Sequence, residues 1–239
     1  MNSVRIRIII PKKTKKEEIE LSKEALPEDV EVVGLAKGEV LEGRSDSALV
    51  MAELINSTKE AEREGCDAVV IACHGDPGLE VLRDLVDIPV LGPGQVGMHI
   101  CSMLGYKFSM ITLSERLKMG QQFNVSAYGL NNKLASIRTI GYTIDEILEE
   151  NLKYERGEPA PSIRAAVAEC VKAIKEDGAT IIMIACGTLK WMAEEVQNRL
   201  KEKGYDVPVV NPLPITVEIA KALVKCKLTH SRLAYVKPK

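Results

Sequence analysis

Two periodicities take turns along this chain. Short apolar, β-branched runs alternate with stretches whose apolar residues recur at spacings of three and four. In the first part the strand-like runs are Val4–Ile10, bounded by Pro11, then Val30–Leu35, Asp67–Cys73 and Pro89–Leu91. Between them, Lys15–Ala25 carries a charged helical pattern, and Ser45–Glu64 sets Leu49, Val50, Leu54 and Ala61 on one helical face. Pro77–Val86 predicts a short helix. Gln95–Leu104 predicts another, ending at Gly105 as a C′ glycine. Asp67–Cys73 is apolar almost without alternation, the signature of a parallel strand covered on both faces.

The pattern restarts near Lys107. Strands are predicted over Phe108–Leu113, Leu134–Ile140, Thr180–Cys186 and Val207–Val210. Helices are predicted over Ser114–Ala127, Ile144–Tyr154, Ser162–Glu176 with Ser162 as N-cap, Leu189–Lys203 and Thr216–Lys225. Strands alternating with helices build βαβ units around a parallel sheet. The expected fold is therefore α/β, with two similar flavodoxin-like parallel-sheet domains and the active site in the cleft between them. One domain takes residues 1–106 and 214–239 and carries Cys73; the other takes 107–213 and carries Cys186. The final helix is placed with the first domain, crossing back to cover it.

Composition narrows the function classes. The chain has 239 residues and a formal net charge of −2 with both signs interspersed, so no basic stripe exists to bind a phosphate backbone. The N-terminal apolar run is broken by Arg5 and Arg7 and is too short for a secretory signal. No apolar run reaches the roughly 18 residues of a membrane span. A cytoplasmic protein with a small-molecule substrate is expected, with neither nucleic acid nor membrane as partner. The apolar helical faces are compatible with a homo-oligomer.

The six cysteines are Cys66, Cys73, Cys101, Cys170, Cys186 and Cys226. None forms C-x-x-C and their spacing matches no zinc framework, so no metal is expected and the thiols should be reduced. Cys101, Cys170 and Cys226 lie in helical patterns and read as small buried hydrophobes, and Cys66 as an incidental loop residue. Cys73 and Cys186 differ. V-V-I-A-C-H-G-D at Val69–Asp76 and I-M-I-A-C-G-T-L at Ile182–Leu189 nearly repeat each other. Each is a buried strand that ends in cysteine and passes through glycine toward a helix, which is where parallel sheets bind ligands. Asp76 and Pro77 suit the N-cap and N1 positions of the first helix, and Thr188 the N-cap of the second. The backbone N–H groups around Gly75, Asp76, Gly187 and Thr188 would then stabilise a thiolate or a substrate oxyanion. Two thiols in matched frames suit a reaction with two equivalent faces, such as removal of a proton from one face of a carbon and its return to the other.

Four segments carry a resemblance to a known family: Asp67–Leu79 (D-A-V-V-I-A-C-H-G-D-P-G-L), Ile88–Gly92 (I-P-V-L-G), Leu104–Thr112 (L-G-Y-K-F-S-M-I-T) and Asp177–Cys186 (D-G-A-T-I-I-M-I-A-C). The chain resembles the aspartate/glutamate/hydantoin racemase superfamily over nearly its whole length. It is most similar to the hydantoin and allantoin racemase branch, in which C-x-x-D-P-G-L is distinctive. The resemblance implies a cofactor-independent racemase with Cys73 and Cys186 as acid and base on opposite walls of the cleft. It also implies substrate binding through His74, Gly75, Asp76, Gly187 and Thr188 and through the strand-end hydroxyls of Thr112 and Ser114. Many relatives carry an Asn-Pro-Asn-Thr type of loop after the first strand, where this chain has Pro11, Lys12, Lys13 and Thr14.

Other readings use the same residues. An aspartate- or glutamate-type amino-acid racemase would draw on Lys12 and Lys13; related folds isomerise maleate or decarboxylate aryl malonates, the latter with one cysteine. A thiol-based sensor or binding protein would pair Cys73 with Cys186 in a disulfide, needing Cα atoms within about 7 Å. Strand alternation turns His74 away from the face of Cys73. Met98 and His99 are expected in core or cleft wall, and His230 in a solvated tail.

Overall fold

The computed structural model describes residues 4–14, 19, 30–36 and 41–238. The chain divides into two compact units, Met1–Val96 with Leu213–Lys239, and Gly97–Pro212.

The first unit is built on four parallel strands, β1 (Ile6–Lys13), β2 (Val30–Leu35), β3 (Ala68–Ile71) and β4 (Val90–Leu91), in the order β2-β1-β3-β4. Helices α1 (Arg44–Leu49), α2 (Met51–Arg63) and α3 (Leu79–Leu85) intervene, and α4 (Pro93–Leu104) follows β4. Strand alternation sends Ile9, Val69 and Ile71 to one face, where they pack with Leu54 and Ala61 of α2 and Leu79 and Leu82 of α3. Ile6, Ile8, Ala68 and Val70 face the other way and are covered by Leu213, Val217 and Ala220 of α9 (Pro212–Lys225), the final helix that crosses back to this unit. Both faces are therefore buried, as the unbroken apolar run of β3 requires. The helix expected over Lys15–Ala25 lies outside the described residues except for Ile19, which packs on this second face.

The first strand runs further than expected. β1 does not stop at Pro11 but runs to Lys13, pairing with β2 as far as Leu35, with a register irregularity between Ile10 and Lys13. A bulge is where a strand tolerates a proline, because no ladder N–H is needed there.

The second unit repeats the topology with β5 (Phe108–Thr112), β6 (Leu134–Thr139), β7 (Ile181–Ile184) and β8 (Val209–Val210) in the parallel order β6-β5-β7-β8. Its helices are α5 (Glu115–Ala127), α6 (Ile144–Tyr154), α7 (Pro161–Asp177) and α8 (Ala193–Glu202), the last preceded by a 3₁₀ turn over Gly187–Met192. β5 and β7 are wholly buried. α6 starts at a capping box, Thr143 with Glu146. α7 starts with Pro161 at N1, so Ala160 rather than Ser162 is its N-cap, and it ends on left-handed Gly178. Gly105 is not left-handed. Its missing side chain instead admits β7, since a Cβ there would lie 2.5 Å from Ile181 Cγ1 and 2.6 Å from Thr180 Oγ1.

Two parallel four-stranded sheets with helices on their faces make this an α/β fold. No helix among the described residues is long and apolar enough to cross a membrane.

Candidate active site

Cys73 and Cys186 occupy equivalent positions in their own sheets. Each lies two residues past the end of a central strand, β3 or β7, that is flanked on both sides by partners. The local hydrogen bonds also coincide. Ala72 N–H donates to Ile9 O at 2.8 Å, and Ala185 N–H to Ile111 O at 2.8 Å. Three residues beyond each thiol the chain folds back: Asp76 N–H donates to Cys73 O, and Leu189 N–H to Cys186 O, both at 3.0 Å. The near-repeat in the sequence is thus a repeat of these two hydrogen bonds, and the turns part at the third residue, left-handed at Asp76 and 3₁₀ at Leu189.

Environment separates these two thiols from the others. Both are half-buried. Burial pushes the thiols of Cys101 and Cys170 up to about 12 and raises that of Cys66, so none of these three supplies thiolate near neutrality. Cys66, in the loop between α2 and β3 as expected, is buried and packs in the core. Cys226, expected to be buried, is exposed one residue past the end of α9, beyond the face that packs on the sheet.

The turn after Cys73 departs from the expected capping pattern. α3 begins at Leu79 with Gly78 as its left-handed N-cap, not at Pro77 with Asp76. Asp76 itself is left-handed, at φ 49°, and its carboxylate reaches a different helix. Oδ1 accepts from Gly94 N at 2.9 Å and Oδ2 from Gln95 N at 2.5 Å, at the start of α4. A carboxylate this deeply buried requires such donors, and the positive end of a helix supplies them. Gly92 and Gly94 make room for it, since a Cβ on either would stand 2.1 or 2.6 Å from a carboxylate oxygen.

His74 is buried, and both ring nitrogens lack a protein partner. Burial lowers its pKa to about 4, so the ring is neutral at pH 7. Gly75 lies against the thiol: a Cβ there would be 3.6 Å from Cys73 Sγ.

In the second unit the 3₁₀ turn opens at Gly187 with Cys186 in the N-cap position, so Thr188 is within the turn rather than its cap. Its hydroxyl lies 3.0 Å from Cys186 Sγ. Thr112 ends β5, abreast of the residues that lead to Cys186, and its hydroxyl is fully buried. Ser114 is the N-cap of α5, accepting from Leu117 N at 3.4 Å.

Sequence reasoning missed Gln121. This buried residue donates from Nε2 to Thr112 Oγ1 at 3.2 Å and to Ala185 O at 2.5 Å, tying the ends of β5 and β7 together just before Cys186. Its signal was an amide four residues before Val125 on the apolar face of α5. His230, expected to be solvated, is half-buried and accepts Val90 N–H at 2.8 Å on the outer edge of β4.

A family model described as Asp/Glu/Hydantoin racemase matches residues 14–220. A hydantoin racemase of Pseudomonas sp. (strain NS671) is 32% identical over 193 residues, covering 81% of this chain and 72% of that protein. The chain belongs to the Asp/Glu/hydantoin racemase family. An allantoin racemase from Pseudomonas fluorescens superposes with a TM-score of 0.83 at 26% identity, over 98% of this chain and 97% of that one. One from Klebsiella pneumoniae, at 24% identity, shares the fold with a TM-score of 0.84 over 99% and 94% of the two chains. Family membership makes the chain a racemase, an isomerase acting on a small molecule.

Proposed function

We propose that this racemase interconverts the enantiomers of a 5-substituted hydantoin or a similar cyclic ureide without a cofactor, using Cys73 and Cys186 as paired acid and base. The observation that carries the reading is the equivalent placement of the two thiols, each two residues past a central parallel strand and followed by a backbone hydrogen bond from the third residue beyond to the cysteine carbonyl. The curated relative is a hydantoin racemase and the superposed structures are allantoin racemases, which favours a cyclic or ureido substrate.

In this mechanism one thiolate removes the proton from the carbon beside a carbonyl. The electron pair of the C–H bond moves onto the carbonyl oxygen as a planar enolate, and the other cysteine, as a thiol, returns a proton to the opposite face. The first cysteine leaves as thiol and the second as thiolate, ready for the reverse reaction. A carbon acid this weak needs donors for the developing oxyanion. We assign that role to backbone N–H groups of Gly75, Gly187 and Thr188, with Ser114 and Thr112 as substrate-contacting hydroxyls of the second unit. His74, neutral and buried, follows directly on Cys73 in the first unit's turn. The Asp76 N–H is committed to Cys73 O, and its carboxylate to α4, so Asp76 acts on the position of the turn.

The test is isotopic. In deuterated water the product enantiomer of a hydantoin should carry solvent deuterium at its stereocentre from the first turnovers, while recovered starting enantiomer stays protiated. Cys73→Ser and Cys186→Ser should each abolish racemisation in both directions with the fold intact, whereas Cys101→Ser should leave it near native. Equal early labelling of both enantiomers, or racemisation surviving in either active-site variant, rules out the two-thiol mechanism.

A further inference from the structure

The two cysteine turns share a closing hydrogen bond but not their support. In the second unit the support is local: Thr188 sits on Cys186 Sγ, and Leu189 occupies the position that corresponds to Asp76. In the first unit it is long-range, and it runs to the C-terminus.

Arg83, on α3, is buried although charged. Its Nε donates to Val90 O at 3.0 Å, one terminal nitrogen to Gln95 Oε1 at 2.7 Å, and the other to Tyr235 Oη at 3.3 Å. The guanidinium carbon also lies 5.6 Å from the centre of the Tyr235 ring. Gln95 then donates its backbone N–H to Asp76, and Asp76 donates its own to Cys73 O. An unbroken series of hydrogen bonds therefore links Tyr235 to the backbone of Cys73.

The C-terminal segment is fastened to the same place. Thr229 Oγ1 donates to Asp87 O at 2.6 Å, and His230 accepts from Val90 N and packs its ring edge-on against Tyr235 at 5.5 Å. Arg232 donates to the carbonyls of Arg83 and Val86 and pairs with Asp87, which Lys237 also approaches at 2.5 Å. Most of these partners are backbone carbonyls and amides of the α3–β4 connection. The segment thus closes an edge strand and the surroundings of Arg83 together.

We propose that Arg83, held by the C-terminal segment through Tyr235, is a positioning residue for Cys73, acting through Gln95 and Asp76. The turn needs such support. Asp76 holds a left-handed backbone that costs a non-glycine residue energy, and a strained turn persists only where its surroundings over-determine it. Releasing Gln95 lets the start of α4 and the Asp76 carboxylate shift together, and the thiol two bonds from that backbone shifts with them. The second thiol has no part in this series. The inference rests on the proposed role of Cys73, but it also has a readout independent of racemisation.

The experiment measures alkylation of the intact protein by iodoacetamide across pH, with the peptides of Cys73 and Cys186 quantified separately, alongside kcat and KM. Arg83→Met removes the guanidinium and keeps its apolar stem, Gln95→Met removes only the accepting side chain, and Tyr235→Phe removes only the hydroxyl. In folded Arg83→Met and Gln95→Met, the Cys73 profile should move along the pH axis while that of Cys186 stays in place. kcat should fall about 10-fold with KM changed less than about 2-fold, as expected for a displaced reacting group. Tyr235→Phe should show the same pattern in smaller degree. If Arg83→Met does not fold, the other two variants decide. Unchanged profiles for both cysteines in the folded variants overturn the proposal, as does an equal movement of both. If Cys73→Ser keeps its racemase activity, the mechanism fails while the Cys73-specific alkylation shift still reports the positioning.

Discussion

The hydroxyl of Thr188 lies 3.0 Å from the Sγ of Cys186, within one turn of the same 3₁₀ segment. In the proposed mechanism a hydroxyl can serve both states of this sulfur: it accepts from S–H in one and donates to S⁻ in the other. The donated bond is the stronger, because its acceptor is charged. Thr188→Val keeps the shape and removes the bond, at a cost of about 1.5 kcal/mol to the thiolate. The alkylation profile of Cys186 should move up by about one pH unit, and kcat should fall about 10-fold. Thr188→Ser should restore both. A Cys186 profile unmoved by Thr188→Val would reduce this contact to packing.

Gly94 and Gly120 make opposite predictions for the same change. A Cβ on Gly94 would meet His74 O at 2.4 Å and Asp76 Oδ2 at 2.6 Å, and the first of these is backbone. Gly94→Ala should therefore destabilise the protein by about 1–3 kcal/mol and displace the Cys73 turn. Gly120 lies inside α5 with nothing within 4 Å of its added Cβ, so Gly120→Ala should stabilise by up to about 1 kcal/mol with activity unchanged. Denaturant unfolding of both variants checks the pair, and a neutral Gly94→Ala would mean that the turn yields easily.

Most of the fold was legible because both faces of each sheet are covered. Burial on two sides leaves runs such as Val69–Ile71 and Ile181–Ile184 with no alternation to misread, and the β-branched content tells them from helices. The thiols were legible for the same reason, standing just past those runs in near-identical words. Partners chosen across the fold were not legible. Asp76 followed by Pro77 is a sound local N-cap, yet the start of α4 offers its carboxylate two N–H donors, and that tertiary contact prevails. His230 looked solvated because a polar tail gives no sign of the unpaired edge strand it covers. Arg83 and Gln121 carry no sequence signal beyond a polar residue on an otherwise apolar face.

Two histidines should contribute to the acid limb of stability. Burial lowers His74 to about 4, and burial together with the positive charges of Arg83 and Arg232 lowers His230 to about 4. In the unfolded chain each has a value near 6.5, so between pH 6.5 and 4 the unfolded state binds protons that the folded state refuses. Their contribution is complete above about pH 6.5 and is lost as pH falls toward 4. For His74 the ceiling is about 3 kcal/mol; for His230, which is half-exposed, solvent screening makes it less. Tm should drop between pH 7 and 5. His74→Phe should flatten much of that drop, and His230→Gln part of it. An unchanged acid limb in both variants would place its origin elsewhere, among the carboxylates.

Substrate choice follows from what the turns beside the two thiols offer. The C-x-x-D-P-G-L turn places its one carboxylate on two N–H groups at the start of α4, and the donors assigned to the oxyanion are neutral backbone N–H groups. Neutral donors suit the carbonyl oxygens of a cyclic imide. A hydantoin ring carbon is also the easier acid, because the carbonyl beside it is not an ionised carboxylate and its enolate carries one less charge. We expect kcat/KM for a 5-substituted hydantoin or allantoin to exceed that for free aspartate or glutamate by on the order of 100-fold on the same preparation. Lys12 and Lys13 give the opposing expectation a physical form. They end β1, at the same edge of the sheet as Cys73, and two cations there would suit a dicarboxylate. The variants Lys12→Gln and Lys13→Gln separate the cases: if hydantoin is the substrate, neither should change its kcat/KM by more than about 3-fold, since a neutral ring gains little from a distant cation in water. A preference for aspartate that collapses in either variant would assign the site to the amino-acid branch of the family and leave the roles of Cys73 and Cys186 as proposed.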